Sequence, residues 1–333
     1  MPNPARALEV KSKGLQLNDE VVAITGGSGF VGSHVVDALL RAGHHVRVID
    51  NKAPLQLDQF PTTLEWAHVD MLDQDSLTDA VKNASAVFHL AAMADVNDVM
   101  ADPAGSVERN VLGTARVLEA ARRADAGRVI FSSTVWVYAA TKGDEVDEES
   151  PLHFDTERHI YASSKIASEM LCGDYWNLFG RPYTILRYGI PFGPRMRGDL
   201  VIAAFMERAL RGEALNIDGD GSQERSFVYV EDLAAAHPLA MLPVAENRTY
   251  NLECAKPVTI RELATKVGEL VGGTEVTFGP SRPGDFRARV VNSDRARDEL
   301  GWTPEFSFEA GLQRTLDWYR GGGHAPAATK GVK

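Results

Sequence analysis

Tyr161 and Lys165 are two side chains whose spacing would allow acid–base chemistry, in the segment YASSK. They stand four residues apart, which places both on one face of a helix. A free tyrosine, with a pKa of about 10, is a poor base at neutral pH. A neighbouring ammonium stabilises the phenolate, so we expect Lys165 to lower the pKa of Tyr161 toward the working range. The alternative is an exposed helix pair, because Tyr-xxx-Lys also occurs by chance.

Hydroxyl groups upstream of this pair form a second candidate feature. Ser132, Ser133 and Thr134 come at the end of an apolar run that predicts a buried strand. Ligands bind at the carboxyl ends of the strands in open parallel sheets, so we expect these hydroxyls to line a ligand site. The sequence predicts no metal site, since His153 and His159 share a charged loop without a third partner.

A glycine-rich turn, TGGSGFVG, lies between an apolar strand and a helical pattern. Gly26, Gly29 and Gly32 have GxxGxxG spacing, which would let the backbone approach a pyrophosphate and let the helix pack close to the strand. The helix start, at Phe30 and Val31, would offer free N–H groups and the positive end of its dipole to the phosphates. The turn therefore predicts a dinucleotide site.

Asp50 ends the second predicted strand, 18 residues after Gly32. A carboxylate there would accept a hydrogen bond from a ribose 2′-hydroxyl and repel a 2′-phosphate, which favours NAD over NADP. The alternative is a surface aspartate at a strand end. Asp70 and Met71 follow the third strand, where they could reach the adenine.

Small residues end the fourth predicted strand in the segment HLAA. Leu90, Ala91 and Ala92 would let the backbone pass close to the cofactor. We expect His89, which begins the segment, to be a packed histidine instead of a ligand.

Strands and helices alternate along the chain and position these residues. The predicted strands are Val21–Ile24, His45–Ile49, Leu64–Val69, Ala86–Ala91, Arg128–Ser133 and Tyr183–Arg187, and the predicted helices include Gln74–Lys82, Pro103–Ala124 and Ile160–Phe179. This alternation is typical of βαβ units. It predicts an α/β fold of Rossmann type, a doubly wound parallel sheet with a smaller C-terminal α/β lobe.

The chain divides into four predicted segments. Residues 1–19 form a polar arm, and residues 20–189 form the NAD-binding domain with the Tyr/Lys helix. Residues 190–320, with Gly/Pro-rich loops between shorter elements, form mainly the substrate lobe, and residues 321–333 are a flexible tail.

Composition excludes several classes of protein. The net charge of −11 argues against binding of nucleic acid or an anionic membrane as the main activity. Two cysteines give no disulfide framework and suit a reducing compartment. The sequence has no apolar run long enough for a signal peptide or a membrane span, so we expect a cytoplasmic protein.

The motifs TGGSGFVG, HLAA, NVLGT, SSTVWVY and YASSK occur together in an order that resembles the extended short-chain dehydrogenases. More narrowly, residues from about 20 to 320 resemble the NAD-dependent nucleotide-sugar epimerase/dehydratase family. The resemblance implies that Thr134 is the catalytic hydroxyl residue, Tyr161 the base and Lys165 the lysine that binds the nicotinamide ribose. It implies that Asn110 orders the active-site strands. It also implies a homodimer formed by the two long helices of each subunit.

The resemblance extends to the substrate side. Arg225, in QERSFVYVED, matches the arginine that grips the nucleotide diphosphate, and Arg282 and Asp285, in RPGD, match residues that bind phosphate and the nucleotide ribose. Guanidinium groups suit phosphate. Arg289 falls near the hexose-lining position, and with Arg195 it would suit an acidic sugar such as glucuronate. The alternative is that both point to solvent.

Val135 and Trp136 discriminate between branches of the family. Dehydratases of the family carry an Asp-Glu pair directly after the catalytic hydroxyl residue, and without it elimination lacks its proton carriers. The resemblance therefore implies a 4-epimerase with a transient 4-keto intermediate. Its UDP-linked substrates would be glucose and galactose, or glucuronate and galacturonate.

Three alternatives stay open. One is a decarboxylase or dehydratase that uses a glutamate from another segment, such as Glu157. Another is a 4-ketoreductase that consumes external NAD(P)H. The last is a sensor that binds NAD without turnover.

Overall fold

Seven parallel strands form the central sheet of the computed structural model, which describes residues 21–52, 61–141, 143–153, 159–254, 256–280 and 290–323. In chain order, the strands are β1 Val21–Thr25, β2 His45–Asp50, β3 Leu64–His68, β4 Ala84–His89, β5 Arg128–Thr134, β6 Glu145–Val146, β7 Tyr183–Tyr188, β8 Ile190–Phe192, β9 Leu215–Asp218, β10 Glu224–Arg225, β11 Phe227–Tyr229, β12 Arg248–Leu252, β13 Val258–Thr259, β14 Val276–Gly279 and β15 Val290–Val291. The sheet has the order β12-β7-β5-β4-β1-β2-β3, and all its pairings are parallel. The predicted doubly wound parallel sheet is confirmed.

Helices cover both faces of this sheet. The helices are α1 Phe30–Arg41, α2 Gln74–Ala80, α3 Val96–Ala101, α4 Pro103–Val107, α5 Gly113–Arg123, α6 Ile160–Phe179, α7 Val201–Leu210, α8 Val230–Leu239, α9 Ile260–Leu270 and α10 Phe308–Arg320. Helices α1 and α8 pack together on one face, whereas α2, α5 and α6 cover the other. Successive residues of a strand point to opposite faces, so Ala23 and Ile24 enter different cores. Burial on both faces explains why the central strands β1 and β4 are largely apolar, whereas the edge strand β3 is not buried.

The helix predicted over Pro103–Ala124 is interrupted by a wider turn. Residues Glu108–Leu112 form a π-helical turn between α4 and α5. The carbonyl of Asn110 accepts hydrogen bonds from the hydroxyls of Thr114 at 2.6 Å and Ser168 at 3.0 Å. These side-chain bonds compete with a regular helical ladder, which helical periodicity in the sequence cannot reveal.

The second part of the chain builds a smaller lobe beside the sheet. Short strand pairs frame it: β8 with β11 and β9 with β14 are parallel, and β10 with β13 is antiparallel. Its separate core includes Phe192, Met206, Phe227 and Leu312. Residues 230–252 return to the central sheet, because α8 packs on α1 and β12 pairs with β7. The predicted arm at residues 1–19 and the tail from residue 324 lie outside the described residues.

Among the described residues, no helix combines the length and the apolar character that crossing a membrane requires.

Candidate active site

The glycine turn after β1 is shaped by close approaches that exclude side chains. Gly26 has a φ of 75°, and its N–H donates to the carbonyl of Ile49 at 3.1 Å. A Cβ on Gly26 would lie 2.6 Å from the backbone nitrogen of Ala91, and a Cβ on Gly32 would lie 2.1 Å from the carbonyl oxygen of Gly26. Glycine is therefore required at both positions for β1, α1 and the segment after β4 to meet.

The start of α1 presents backbone donors at this turn. Its first intrahelical hydrogen bond runs from Ser33 N–H to the carbonyl of Gly29 at 2.9 Å, so the N–H groups of Phe30, Val31 and Gly32 precede the ladder. The first helical turn contains no acidic residue that would repel an anion. The N–H groups and the helix dipole fit a pyrophosphate.

Asp50 closes the other side of the turn. Its carboxylate accepts hydrogen bonds from Ser28 N–H and from Lys52 N–H, each at 3.0 Å. The side chain is thus fixed beside the glycine turn, where it fits a ribose hydroxyl. Asp70 is exposed and accepts from Leu72 N–H at 2.9 Å.

The segment after β4 runs alongside the turn as predicted. Leu90 N–H donates to the carbonyl of Thr25 at 3.1 Å, and Ala91 N–H approaches the Thr25 hydroxyl at 3.4 Å. Ala92 continues this half-buried segment. Met71, from the neighbouring loop, packs against Gly113: a Cβ added to Gly113 would lie 3.0 Å from the Met71 sulfur.

His89 is a packed residue, as predicted. Its Nδ1 accepts from the Thr25 hydroxyl at 2.8 Å, and its Nε2 contacts the Thr114 hydroxyl at 3.0 Å. Burial, helped by the charge of Lys165, lowers the pKa of His89 to about 3. The neutral ring joins β1, β4 and α5 below the site.

Asn110 ties the segment after β4 to the helix that carries Tyr161. Its side chain accepts from Met93 N–H at 2.8 Å and donates to the carbonyl of Met93 at 3.0 Å. It also donates to the hydroxyl of Ser164 at 3.1 Å, which in turn donates to the carbonyl of Tyr161 at 2.7 Å. This geometry fits the ordering role that the family resemblance implies.

Lys165 and Tyr161 share one face of α6, as their spacing predicts. The Lys165 ammonium donates to the carbonyl of Ser132 at 2.7 Å and lies 5.9 Å from the centre of the Tyr161 ring. Burial lowers the pKa of Lys165 to about 8, although the nearby Glu169 acts in the opposite direction. The ammonium is thus held at the end of β5, beside the phenol.

The expected acidification of Tyr161 by Lys165 is not seen in the chain alone. Desolvation of the phenol raises the pKa of Tyr161 above its ordinary value. The reason is that the phenol is buried, and burial disfavours the charged phenolate.

Thr134 lies buried at the end of β5, where its neighbour in the sheet is Tyr188. Its hydroxyl accepts from Trp136 N–H at 3.2 Å and so caps the short 3₁₀ turn Val135–Tyr138. The ring of His159 links this turn to Tyr161, with ring centres 5.0 Å from Trp136 and 6.0 Å from Tyr161. The turn capped by the predicted hydroxyl residue is therefore connected to the predicted base through the ring of His159.

A buried ion pair below the site was not predicted. Arg187 on β7 donates to both carboxylate oxygens of Glu169 on α6, at 3.0 and 2.6 Å. Ser133 donates to the same carboxylate, and Arg187 also donates to the hydroxyl of Tyr138 at 2.5 Å. In the sequence, the only indication of this pair was the position of Glu169 four residues after Lys165, on the same helix face. The network fixes α6 to the sheet.

Arg195 was expected to meet an acidic sugar or solvent, and the structure places it elsewhere. Its guanidinium donates to Asp37 on α1 at 2.5 Å. The neighbouring Arg197 likewise pairs with Asp95 at 2.5 Å and with Asp199 at 3.2 Å. Both positive charges are therefore matched by carboxylates of this chain and join the lobe to the sheet domain.

Of the remaining residues predicted to bind the substrate, the structure describes Arg225. Arg225 is half-buried on β10 in the smaller lobe, paired in register with Val258. Its side chain donates to the carbonyl of Glu224 at 2.7 Å. The other members, together with the alternative base, lie outside the described residues: Arg282, Asp285, Arg289 and Glu157. Within the described ranges, no group of three or more His, Cys, Asp or Glu residues could hold a metal ion.

The chain is similar to known proteins of one family. The model of the NAD-dependent epimerase/dehydratase family matches residues 22–252. The chain is 32% identical over 309 residues to the UDP-glucose 4-epimerase of Mycolicibacterium smegmatis, covering 89% of this chain and 97% of that protein. It is also 32% identical over 313 residues to the UDP-N-acetyl-alpha-D-glucosaminuronate decarboxylase of Bacillus cytotoxicus, with coverage of 89% and 97%.

A solved structure, the UDP-glucose 4-epimerase of Thermus thermophilus in complex with NAD, superposes with a TM-score of 0.78 at 33% identity. The match covers 90% of this chain and 99% of that one. The geometry of the glycine turn, the start of α1 and the carboxylate of Asp50 fits such a cofactor. The chain belongs to the NAD-dependent epimerase/dehydratase family of extended short-chain dehydrogenases, and NAD is its cofactor.

Proposed function

We propose that this protein is a nucleotide-sugar 4-epimerase whose substrate is a UDP-hexose or a UDP-hexuronic acid. The observation that carries the proposal is the combination of Tyr161 and Lys165 with an apolar pair after Thr134. Val135 and Trp136 are half-buried there and cannot carry protons. Oxidation and re-reduction at one carbon need only the phenol and the cofactor, whereas elimination needs a further acid and base.

The chain's own groups would move the proton of the sugar's 4-hydroxyl. When bound, NAD would supply a reversible hydride acceptor and, in its oxidised form, a positive charge that favours the phenolate of Tyr161. Tyr161 then accepts the hydroxyl proton as a phenolate, directly or through Thr134, and returns it when the 4-keto sugar is reduced on its other face. Lys165, held by the carbonyl of Ser132, would add its positive charge to that of the cofactor beside the phenol.

Two described carboxylates of this part of the chain are engaged by other side chains. Glu169 is bound by Arg187 and Ser133, and Asp95 is paired with Arg197. Neither is placed to remove a proton from carbon. Val135 and Trp136, which stand where the dehydratases carry an acid pair, therefore favour epimerisation over dehydration.

Arg225 would anchor the diphosphate while the 4-keto sugar rotates to present its other face. A guanidinium suits phosphate. Arg225 lies on β10, just before β11 in the chain, and β11 pairs with β8, which follows the carboxyl end of β7. Arg282 and Asp285, by the family resemblance, would bind phosphate and the nucleotide ribose, and Arg289 would line the hexose pocket.

We also propose that two copies pair through the outer face of α3, α4 and α6. These helices pack together, and they and the π-helical turn after α4 expose large apolar side chains: Met100 is 64% exposed, Val107 47%, Leu112 42% and Met170 59%. Exposed apolar side chains are unfavourable in water, and a second copy of the same face would cover them. Light scattering should give twice the mass of 36.3 kDa, and a monomer would contradict the pairing.

Incubation of the NAD-loaded protein with UDP-glucose, UDP-galactose, UDP-glucuronate and UDP-galacturonate tests the activity. We expect chromatography to show interconversion of one pair of C4 isomers, without net consumption of NADH. Tyr161→Phe should lower the turnover by about 10² to 10⁴, the usual contribution of a positioned acid–base group.

Other outcomes would assign a different reaction. Release of CO₂ indicates a decarboxylase, and a stable 4-keto product indicates a dehydratase. Stoichiometric use of external NAD(P)H indicates a ketoreductase. NAD binding that is unchanged in Tyr161→Phe, together with an inactive parent, indicates a sensor.

A further inference from the structure

His159 lies between two rings at the proposed site. Its ring centre is 5.0 Å from that of Trp136, in the turn after Thr134, and 6.0 Å from that of Tyr161, with planes inclined by 21° to the latter. The imidazole is thus the side chain that connects the apolar turn to the proposed base. Neither acid–base chemistry nor NAD binding, as argued above, uses it.

The Nδ1 atom of His159 has a structural partner. It accepts a hydrogen bond from Ala162 N–H at 3.3 Å and so caps the start of α6. An accepting Nδ1 is unprotonated, which leaves the hydrogen of the neutral ring on Nε2. Burial lowers the pKa of His159, so the ring stays neutral at physiological pH.

The Nε2 atom of the His159 ring, in contrast, lacks a hydrogen-bond partner among the described residues. This atom is also buried from solvent. Buried polar groups in folded proteins are almost always paired, and an unpaired donor is unfavourable. An unpaired N–H on a ring that stacks against the proposed base is therefore suited to an acceptor that arrives with the substrate.

We propose that His159 is a specificity-determining residue, whose Nε2–H donates to an oxygen of the sugar next to the hydroxyl served by Tyr161. This inference rests on the proposed nucleotide-sugar site. The acceptor is an uncharged ring hydroxyl or a carboxylate oxygen of the sugar; both accept from a neutral imidazole. The diphosphate is assigned to Arg225 in the proposed site, so the acceptor for His159 beside Tyr161 is an oxygen of the sugar.

Substitution by asparagine separates the two roles of the ring. Asparagine is among the best N-caps and keeps an acceptor for Ala162 N–H, but its short side chain cannot replace Nε2. His159→Ser also keeps a strong N-cap, so an effect shared by both variants can be assigned to the loss of Nε2 and not to one particular substitution. His153→Asn is the matched control, because His153 lies in the preceding loop and has no contact with Tyr161 among those described.

Binding of UDP-glucose, UDP-glucuronate and UDP to the NAD-loaded proteins is measured by calorimetry. For His159→Asn and His159→Ser we expect the affinity for at least one UDP-sugar to fall about tenfold, the effect of one lost hydrogen bond, with UDP affinity unchanged. A larger loss for UDP-glucuronate identifies a carboxylate acceptor, and equal losses identify a ring hydroxyl. His153→Asn should match the parent protein.

Three results would overturn the assignment. They are equal weakening of UDP and UDP-sugars, unchanged affinities in both variants, or a parent protein that binds UDP-sugars no more tightly than UDP. Failure of the proposed function looks different. A parent that binds UDP-sugars through His159 but gives no C4 isomers would refute the epimerase and leave this donor in place.

Discussion

Removal of the carboxylate of Glu169 is the perturbation for which the structure gives the clearest magnitude. The side chains of Glu169 and Arg187 are only 8% and 7% exposed, and two hydrogen bonds join them. Truncation of Glu169 to alanine leaves a buried guanidinium without its counter-charge. Breaking such a pair from one side destabilises a protein by about 3–5 kcal/mol, because the remaining ion is still desolvated.

This free energy translates into a modest thermal shift. Unfolding entropy of about 2.1 cal/mol/K per residue gives about 0.7 kcal/mol/K for 333 residues, so Glu169→Ala should lower Tm by roughly 4–7 °C. Calorimetry on the protein with NAD bound is the assay, at matched protein and cofactor concentrations.

Two further variants test the reason as well as the size of the effect. Glu169→Gln keeps the hydrogen-bonding shape but not the charge, and should also lose stability. The double variant Glu169→Leu/Arg187→Met removes both charges and should regain most of the lost Tm, since apolar pairs of similar volume replace buried ion pairs well. A double variant as unstable as Glu169→Ala would refute the electrostatic explanation.

Two predictions concern the cofactor side of the site. Burial lowers the pKa of Lys165 to about 8, so its charge is lost as the pH rises through that value, and kcat should fall on the alkaline side; a rate that stays flat to about pH 10 would contradict this role. A Cβ on Gly32 would lie 2.1 Å from the oxygen of Gly26, so Gly32→Ala should abolish NAD binding measured by fluorescence titration. The matched control is Gly173→Ala on α6, where an added Cβ meets nothing within 4 Å; equal NAD affinity of the two variants would refute the steric argument.

The sequence was sufficient wherever local spacing carries the information. The glycine turn, the carboxylate of Asp50 and the common face of Tyr161 and Lys165 follow from the periodicity of strands and helices. Apolar runs alternating with helical patterns are enough to predict a parallel sheet, since both faces of its strands must be buried. These features depend on residues close together in the chain.

The tertiary structure alone decided what depends on distant partners. Arg195 pairs with Asp37 instead of a sugar, and Glu169 meets Arg187 across the sheet, because charges find the counter-charge that folding brings near. Desolvation, which raises the pKa of Tyr161, is likewise a property of packing and not of spacing. Only the folded structure shows that the Nε2 of His159 is buried without a hydrogen-bond partner and that its ring packs against Trp136. Sequence therefore specified the elements and the reactive pair, whereas folding specified which polar groups are satisfied and which remain open to a ligand.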